Sequence, residues 1–245
     1  MREVKAVIFD IGATLVTGPP VAPNKVIAAM LSPELVEGSK DATAAEIASV
    51  IMTRPFGSAG DVCAALESRW GPLDEATSAA IADLWESQSD AAQELDGASE
   101  TVRALKALGL KIGLLSDIWS PYYDSVTRAI PSVIEAADAI VLSFQTGFRK
   151  PNPENFLRIV GELQVGVEEA VMVGDTYEHD ILPAIKLGMR TVWVLARPDR
   201  EAASIIRVLN GHCPSPTSTV SRITEVVGVC GFPLSTLHFP LSQGA

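Results

Sequence analysis

Four short apolar runs, at residues 4–9, 112–115, 170–173 and 191–195, constrain the fold of this 245-residue chain more than any other feature. None of them alternates polar with apolar residues, which is the pattern of strands buried on both faces of a parallel sheet. A weaker fifth run spans residues 139–142. Between the runs, residues 99–108 and 181–187 repeat apolar side chains at helical spacing and stop at Gly109 and Gly188, as helices ending at a left-handed glycine do. Strand and helix alternate, so the sequence predicts an α/β fold.

The rhythm breaks between residues 17 and 96. This segment holds Ala-rich stretches with acidic starts, at residues 41–52, 61–70 and 74–91, and no strand-like run, so it reads as a helical insertion. Asp74, with Leu73 before it and Thr77 three residues on, offers a helix cap and staple. Gly18-Pro19-Pro20 and Asp96-Gly97 mark hinges. The expected division is therefore a core of residues 1–16 and 97–245 and an inserted domain of residues 17–96. Beyond residue 195 the chain turns irregular through Arg197-Pro198-Asp199 and again through Cys213-Pro214-Ser215-Pro216. A helix is expected near residues 219–227, and a loosely held tail over the last dozen residues.

Composition sets the boundaries on function. With 47% hydrophobic and 20% charged residues, the chain can bury a core and is not predominantly disordered. The formal net charge is −11, and no basic cluster offsets it locally, which argues against nucleic acid as a partner. Within the insertion, Lys25, Lys40, Arg54 and Arg69 stand against thirteen acids, a net of −9, which leaves −2 for the rest. That segment is either a solvated surface kept soluble by its charge or one that repels polyanions. Cys63, Cys213 and Cys230 are too few and too far apart for a disulfide framework, and a reducing cytoplasm is the expected location. The first five residues include an acid and lead straight into an apolar run, unlike a signal peptide, and no stretch approaches the ~18 apolar residues of a membrane span.

In an open parallel sheet, ligands bind beyond the carboxyl ends of the strands. The first run ends at Asp10 and the second at Ser116-Asp117, the loop after the third carries Arg149-Lys150-Pro151, and the fourth ends at Gly174-Asp175. Two carboxylates about 4 Å apart repel by roughly 4 kcal/mol at an effective dielectric near 20, so Asp10 and Asp175 need a cation between them. An all-oxygen ligand set favours a hard ion, and Mg²⁺ suits a substrate that brings phosphate oxygens. Lys150 adds a second positive charge, and Gly174 lets the backbone approach closely. Attack by Asp10 on phosphorus, giving an aspartyl-phosphate that water then cleaves, is the economical chemistry for this set.

The strings Asp10-Ile11-Gly12-Ala13-Thr14-Leu15, Leu114-Leu115-Ser116-Asp117, Lys150-Pro151-Asn152-Pro153 and Val173-Gly174-Asp175, with Asp180 five residues on, resemble in order the four motifs of the haloacid dehalogenase superfamily. The resemblance covers residues 4–195 apart from the insertion. It implies a Rossmann-like core with a helical cap and a Mg²⁺-dependent phosphohydrolase acting on a small phosphorylated metabolite. It further implies that Asp10 is nucleophile and metal ligand, and that the Gly12 carbonyl and Asp175 complete the metal site. Asp180 supports the metal, while Ser116 and Lys150 grip the phosphoryl group.

One position departs from the pattern. Most phosphatases of this family carry a second Asp two residues after the nucleophile, where this chain has Gly12. A general acid-base is worth about 10² to 10⁴ in rate, so ordinary alkyl phosphates should turn over poorly unless another group supplies the proton. Four readings stay open: a phosphatase that uses a substrate group, a cap residue or a good leaving group; a phosphonate-cleaving enzyme with a Schiff base on a cap lysine, Lys25 or Lys40; a binder of phosphorylated ligands; and a dehalogenase, which the intact Gly174-Asp175 disfavours.

Among other residues, Asp117 is expected to cap the helix that follows it or to meet the edge of the site, and His179 to sit exposed on a turn. Trp119, Tyr122 and Tyr123 belong either to the core or to the cleft facing the cap. Arg54, beside Pro55-Phe56-Gly57 in a cap loop, is the candidate substrate contact outside the motifs, because arginine suits planar anions.

Overall fold

A computed structural model of the chain describes residues 3–31 and 40–230. Six strands form one sheet: β1 (Ala6–Phe9), β2 (Lys111–Ser116), β3 (Ala139–Leu142), β4 (Ala170–Gly174), β5 (Arg190–Val194) and β6 (Ser218–Val220). Every pairing is parallel and the order is β3-β2-β1-β4-β5-β6. The chain builds outward from β1 to β3, then returns to the other side of β1 with β4. The direction of winding reverses between β1 and β4, where open α/β sheets leave a crevice.

Both faces of the sheet are covered, which explains runs without alternation. Val7 and Phe9 point into one cluster with Val102 and Leu105 of α5 (Ala98–Ala107) and Val126 of α6 (Ser120–Ala129). Ala6 and Ile8 point into the opposite cluster with Phe156, Ile159 and Val160 of α9 (Pro153–Glu162) and Ala184 of α10 (Leu182–Leu187). Full burial of a side chain such as Phe9 or Phe156 contributes about 1.5–3 kcal/mol relative to exposure. The short helices α7 (Pro131–Ala136) and α8 (Ser143–Thr146) flank β3, and α11 (Ala202–Leu209) follows β5.

The helix expected near residues 219–227 is only half correct. Residues 218–220 extend the sheet as β6, with Leu195 N–H donating to the Val220 carbonyl at 2.8 Å and Thr191 and Thr217 exchanging amide-to-hydroxyl hydrogen bonds at 3.1 Å each. The β-branched Thr217, Thr219 and Val220 favour extended backbone, and the open edge of β5 gives that backbone partners. Helical structure starts only with a 3₁₀ turn at Ile223–Glu225 and α12 (Val226–Cys230). The expected tail lies outside the described residues.

Between β1 and β2 lie α1 (Pro23–Met30), α2 (Lys40–Ile51), α3 (Ala59–Trp70) and α4 (Glu75–Gln88), the helical insertion. Asp74 caps α4 by accepting the Thr77 N–H at 2.6 Å, and Ser58 caps α3 through the Asp61 N–H at 3.2 Å. Ile27, Ile47, Ile51, Val62, Leu66 and Ile81 form the interior of the insertion and are continuous with one face of the sheet core. The two connections run side by side, with Thr17 N–H on the Gln93 carbonyl at 2.8 Å and Leu95 N–H on the Leu15 carbonyl at 3.0 Å. The insertion closes onto the core through an edge-to-face contact between Trp85 and Trp119, centroids 5.7 Å apart, and a hydrogen bond of 3.0 Å from Phe56 N–H to Ser120 Oγ. Among the described residues no helix is long and apolar enough to cross a membrane.

Candidate active site

The carboxyl ends of the central strands deliver their side chains to one place. Asp10 directly follows β1, its amide still bonded to the Val173 carbonyl of β4 at 2.9 Å, so the nucleophile candidate is fixed to the sheet. Asp175 follows β4. A single π turn at Tyr177–Ile181 folds Asp180 back beneath it, and Asp180 Oδ2 accepts the Thr176 N–H at 3.0 Å. Gly174 makes this possible: a Cβ there would lie 2.5 Å from the Asp180 side chain. One carboxylate oxygen from each of Asp10, Asp175 and Asp180 falls within 4.8 Å of the others.

Lys150 enters the cluster from the loop after α8. Its Nζ lies 2.6 Å from Asp10 Oδ1, 2.6 Å from Asp180 Oδ1 and 3.4 Å from the Leu115 carbonyl. Asp117 anchors that loop by accepting the Lys150 N–H at 2.9 Å, and it faces Arg149 Nε at 3.4 Å. The expected helix cap is not formed, since the N-cap of α6 is Trp119; Asp117 instead clamps the lysine loop and lines the cavity described below. Ser116, the last residue of β2, is buried and lines the cavity described below.

The electrostatics follow from burial. Desolvation raises the Asp10 and Asp180 carboxyls above the ordinary carboxylate range, and the Lys150 charge works against it at both. At Asp175 desolvation is joined by the Asp10 charge and opposed by Arg197. For Lys150 desolvation favours the neutral amine, but Asp10, Asp180 and Asp117 outweigh it and strengthen the ammonium. Lys150 and Arg197 face three buried carboxyl groups, one acid more than there are bases. An all-oxygen donor set with an acid in excess fits a hard divalent cation such as Mg²⁺.

A cavity of about 170 Å³ lies between the segments that follow β1 and β2 and the insertion, and none of Asp10, Lys150, Asp175 and Asp180 lines it. Gly12 and Ser116 form its core side, Met52 and Gln88 its cap side, and Trp119 and Tyr122 part of its wall. A Cβ at position 12 would meet no atom within 4 Å, so the missing side chain leaves open space beside Asp10. Tyr122 does not replace it as a proton donor: burial, then the Asp10 charge, push its hydroxyl up to about 12, and that hydroxyl donates to the Thr17 carbonyl. Tyr123 belongs to the core instead, packed on Phe144 with centroids 5.9 Å apart.

The other candidates are not brought to the cluster. Arg54 is exposed, with its guanidinium 5.3 Å from the centroid of its neighbour Phe56, and it does not line the cavity. Lys25 and Lys40 are exposed, whereas a Schiff-base lysine needs desolvation to free its amine. His179 is exposed as expected, with Nδ1 3.2 Å from the Lys150 carbonyl. Two residues of the site escaped sequence reasoning. Arg197, read only as part of an irregular turn, forms an ion pair with Asp175 Oδ2. Gln88, at the end of α4, carried no signal at all, because a lone glutamine fits any helix surface.

Comparison with known proteins bears on the family and the fold. The family described as haloacid dehalogenase-like hydrolase matches residues 4–188. A glyceraldehyde 3-phosphate phosphatase of Pyrococcus abyssi is 30% identical over 103 residues, 41% of this chain and 42% of that protein. Pyrophosphatase PpaX of Listeria monocytogenes is 31% identical over 114 residues, 44% of this chain and 51% of that protein. The chain thus spans about half or less of the curated relatives it matches. A solved HAD phosphatase from Thermococcus onnurineus superimposes with a TM-score of 0.58 at 23% identity, covering 93% of this chain and 98% of that one, which is a likeness of fold.

Proposed function

The chain belongs to the haloacid dehalogenase-like hydrolases, and from that premise we propose that it is a phosphohydrolase acting on a small phosphorylated metabolite through an aspartyl-phosphate on Asp10. The observation that carries this reading is the position of Lys150 Nζ, 2.6 Å from both Asp10 and Asp180 and beside Asp175 at the reversal of the sheet. The names of the relatives, phosphatases of glyceraldehyde 3-phosphate and of pyrophosphate, support a small phosphorylated substrate.

In the proposed reaction an Asp10 carboxylate oxygen attacks phosphorus, and the bond from phosphorus to the leaving oxygen breaks. Lys150 Nζ and the Ser116 hydroxyl hold the phosphoryl oxygens as charge develops on them. Water then attacks the phosphorus of the aspartyl-phosphate, the bond to Asp10 breaks, and orthophosphate leaves with the Asp10 carboxylate restored. Asp10, Asp175, Asp180 and the Gly12 carbonyl would hold Mg²⁺, which when bound neutralises charge on the phosphoryl group. Residues 17–96 act as a cap whose closure excludes water from the cavity.

With Gly12 in place of an acid, the leaving oxygen must depart unprotonated or take a proton from the substrate itself. Acyl phosphates, whose leaving groups need no proton, are then the faster substrates. The test is the variant Gly12→Asp, for which the structure has room. Its turnover of an alkyl phosphate should rise by about 10² or more, while acetyl phosphate changes little. No turnover of acetyl phosphate by the wild type with Mg²⁺, or no gain in Gly12→Asp, sinks the reading.

A further inference from the structure

A second cavity, of about 310 Å³, lies between α5 and α7. Ser99, Arg103, Lys106 and Ala107 line it from α5, where their spacing places them on one helix face, and Ser132 and Ala136 line it from α7. The two helices run in the same direction. Ser132 Oγ meets Ser99 Oγ at 3.1 Å near their starts, and Lys106 Nζ meets Asp138, two residues past α7, at 2.5 Å near their ends. None of the six lining residues belongs to the cavity over Gly12 or to the carboxylate cluster.

The polar groups of this lining have donors to spare and no carboxylate among them. Arg103 is exposed and makes neither a hydrogen bond nor an ion pair among the described residues, although Glu100 stands one turn before it. Two serine hydroxyls that share one hydrogen bond keep one proton free for another acceptor. Lys106 gives one of its three protons to Asp138. Against the charges of Arg103 and Lys106 stands that one paired carboxylate, so a single positive charge is left over. Glu94, which accepts the Ser99 N–H at 2.7 Å, and Glu100 and Glu135, each next to a lining residue in sequence, work against a second negative charge on a ligand. Ala107, Ala136 and the methylene stems of the two basic residues supply apolar wall. At ~30 Å³ for each water-sized group, the cavity holds about ten of them.

We propose that the groove between α5 and α7 is a binding site for a small monocarboxylate with an apolar body. The planar guanidinium of Arg103 matches a carboxylate through paired N–H donors. The serine pair and Lys106 offer it further protons, and the apolar body lies against Ala107 and Ala136. A singly charged ligand fits the single surplus charge. The lining holds hydroxyls but no base to activate them, so the site binds its ligand without turning it over. It stands independently of the phosphohydrolase reading, because it shares no residue with that site.

Calorimetric titration of the full chain tests it, without Mg²⁺, using benzoate and its uncharged isostere benzamide as probes. Benzoate should bind at one site and at least about tenfold tighter than benzamide, the effect of one charge-assisted pair. Arg103→Gln should weaken benzoate by about tenfold or more. Ala107→Phe, which fills the groove and leaves every charge in place, should do the same by exclusion. Both positions are exposed on α5, so neither change disturbs the core, and both variants should turn over acetyl phosphate as the wild type does. Benzamide binding as tightly as benzoate overturns the proposal, as does the absence of saturable benzoate binding up to about 10 mM. Benzoate affinity that survives in both variants also overturns it, and would place the anion at the Lys150 cluster or elsewhere.

Discussion

Lys150 Nζ sits 2.6 Å from Asp10 Oδ1 in a site where both side chains are at least nine-tenths buried. Three carboxylates crowd one pocket, and this ammonium compensates two of them, Asp10 and Asp180. Lys150→Met keeps the apolar stem and removes the charge. Breaking a buried pair from one side costs about 3–5 kcal/mol, so the variant should show that loss in urea unfolding. Turnover of acetyl phosphate should fall by about 10² to 10³, the usual effect of removing one donor to a developing oxyanion. Unchanged stability would mean that the lysine does not hold the cluster together.

Gly174 is the contact that lets Asp180 approach the cluster. A methyl group there would lie 2.5 Å from three Asp180 side-chain atoms, and those atoms are pinned by Lys150 and the Thr176 amide. Gly174→Ala should therefore cost about 1–3 kcal/mol in chemical unfolding, as overpacking of a rigid site does. A neutral result would show that the π turn carrying Asp180 gives way easily.

Much of the fold was legible because parallel strands buried on both faces leave a simple trace. The run at 170–173 ends at Gly174-Asp175, and β4 ends there too. The trace failed at β6, where three residues owe their conformation to the β5 edge and carry no hydrophobic run of their own. Asp10, Ser116 and Asp175 could be read because each stands at or directly after the end of a strand, whereas Lys150 and Asp180, on a loop and a π turn, were legible only through the order of the motifs. Arg54 does not line the cavity, because its loop lies on the core through the Phe56 amide. Arg197 and Gln88 act through tertiary placement alone: one crosses from the loop after β5 to Asp175, and the other ends a cap helix over Gly12. Neither spacing nor residue type announces such a meeting.

Arg197 holds a carboxylate oxygen of Asp175 that a divalent cation would need. The guanidinium is paired with Asp175 Oδ2, and its side chain is one-third exposed, so it can swing away at modest cost. Arg197→Gln should shift the Mg²⁺ concentration at the midpoint of thermal stabilisation downward, by roughly 3- to 10-fold, because displacing the ion pair no longer opposes binding. The readout is melting temperature against Mg²⁺ and needs no turnover. A midpoint that moves upward would instead make Arg197 an aid to the metal site.

Asp138 offers the clearest pH dependence outside the site. It stands just before β3, where its Oδ2 accepts the Ile112 amide of β2 at 2.7 Å and pairs with Lys106 Nζ at 2.5 Å. Desolvation alone would raise its carboxyl. The hydrogen bonds from Lys106 and Ile112, with the charges of Lys106 and Lys111, outweigh it and hold the group below its ordinary value of 3.8. A carboxyl depressed in the folded state contributes stability that is complete above the unfolded value and is lost as pH falls through the folded one. With a third of the side chain exposed, the contribution is about 1 kcal/mol after allowance for solvent screening. Asp138→Ala should therefore be less stable than the wild type by that amount at pH 7. The gap should close as the pH falls below 3.8 and the wild-type carboxyl takes up its proton. Urea unfolding of both proteins across that range measures it, and a gap that persists at pH 2.5 would assign the effect to the shape of the side chain and not to its charge.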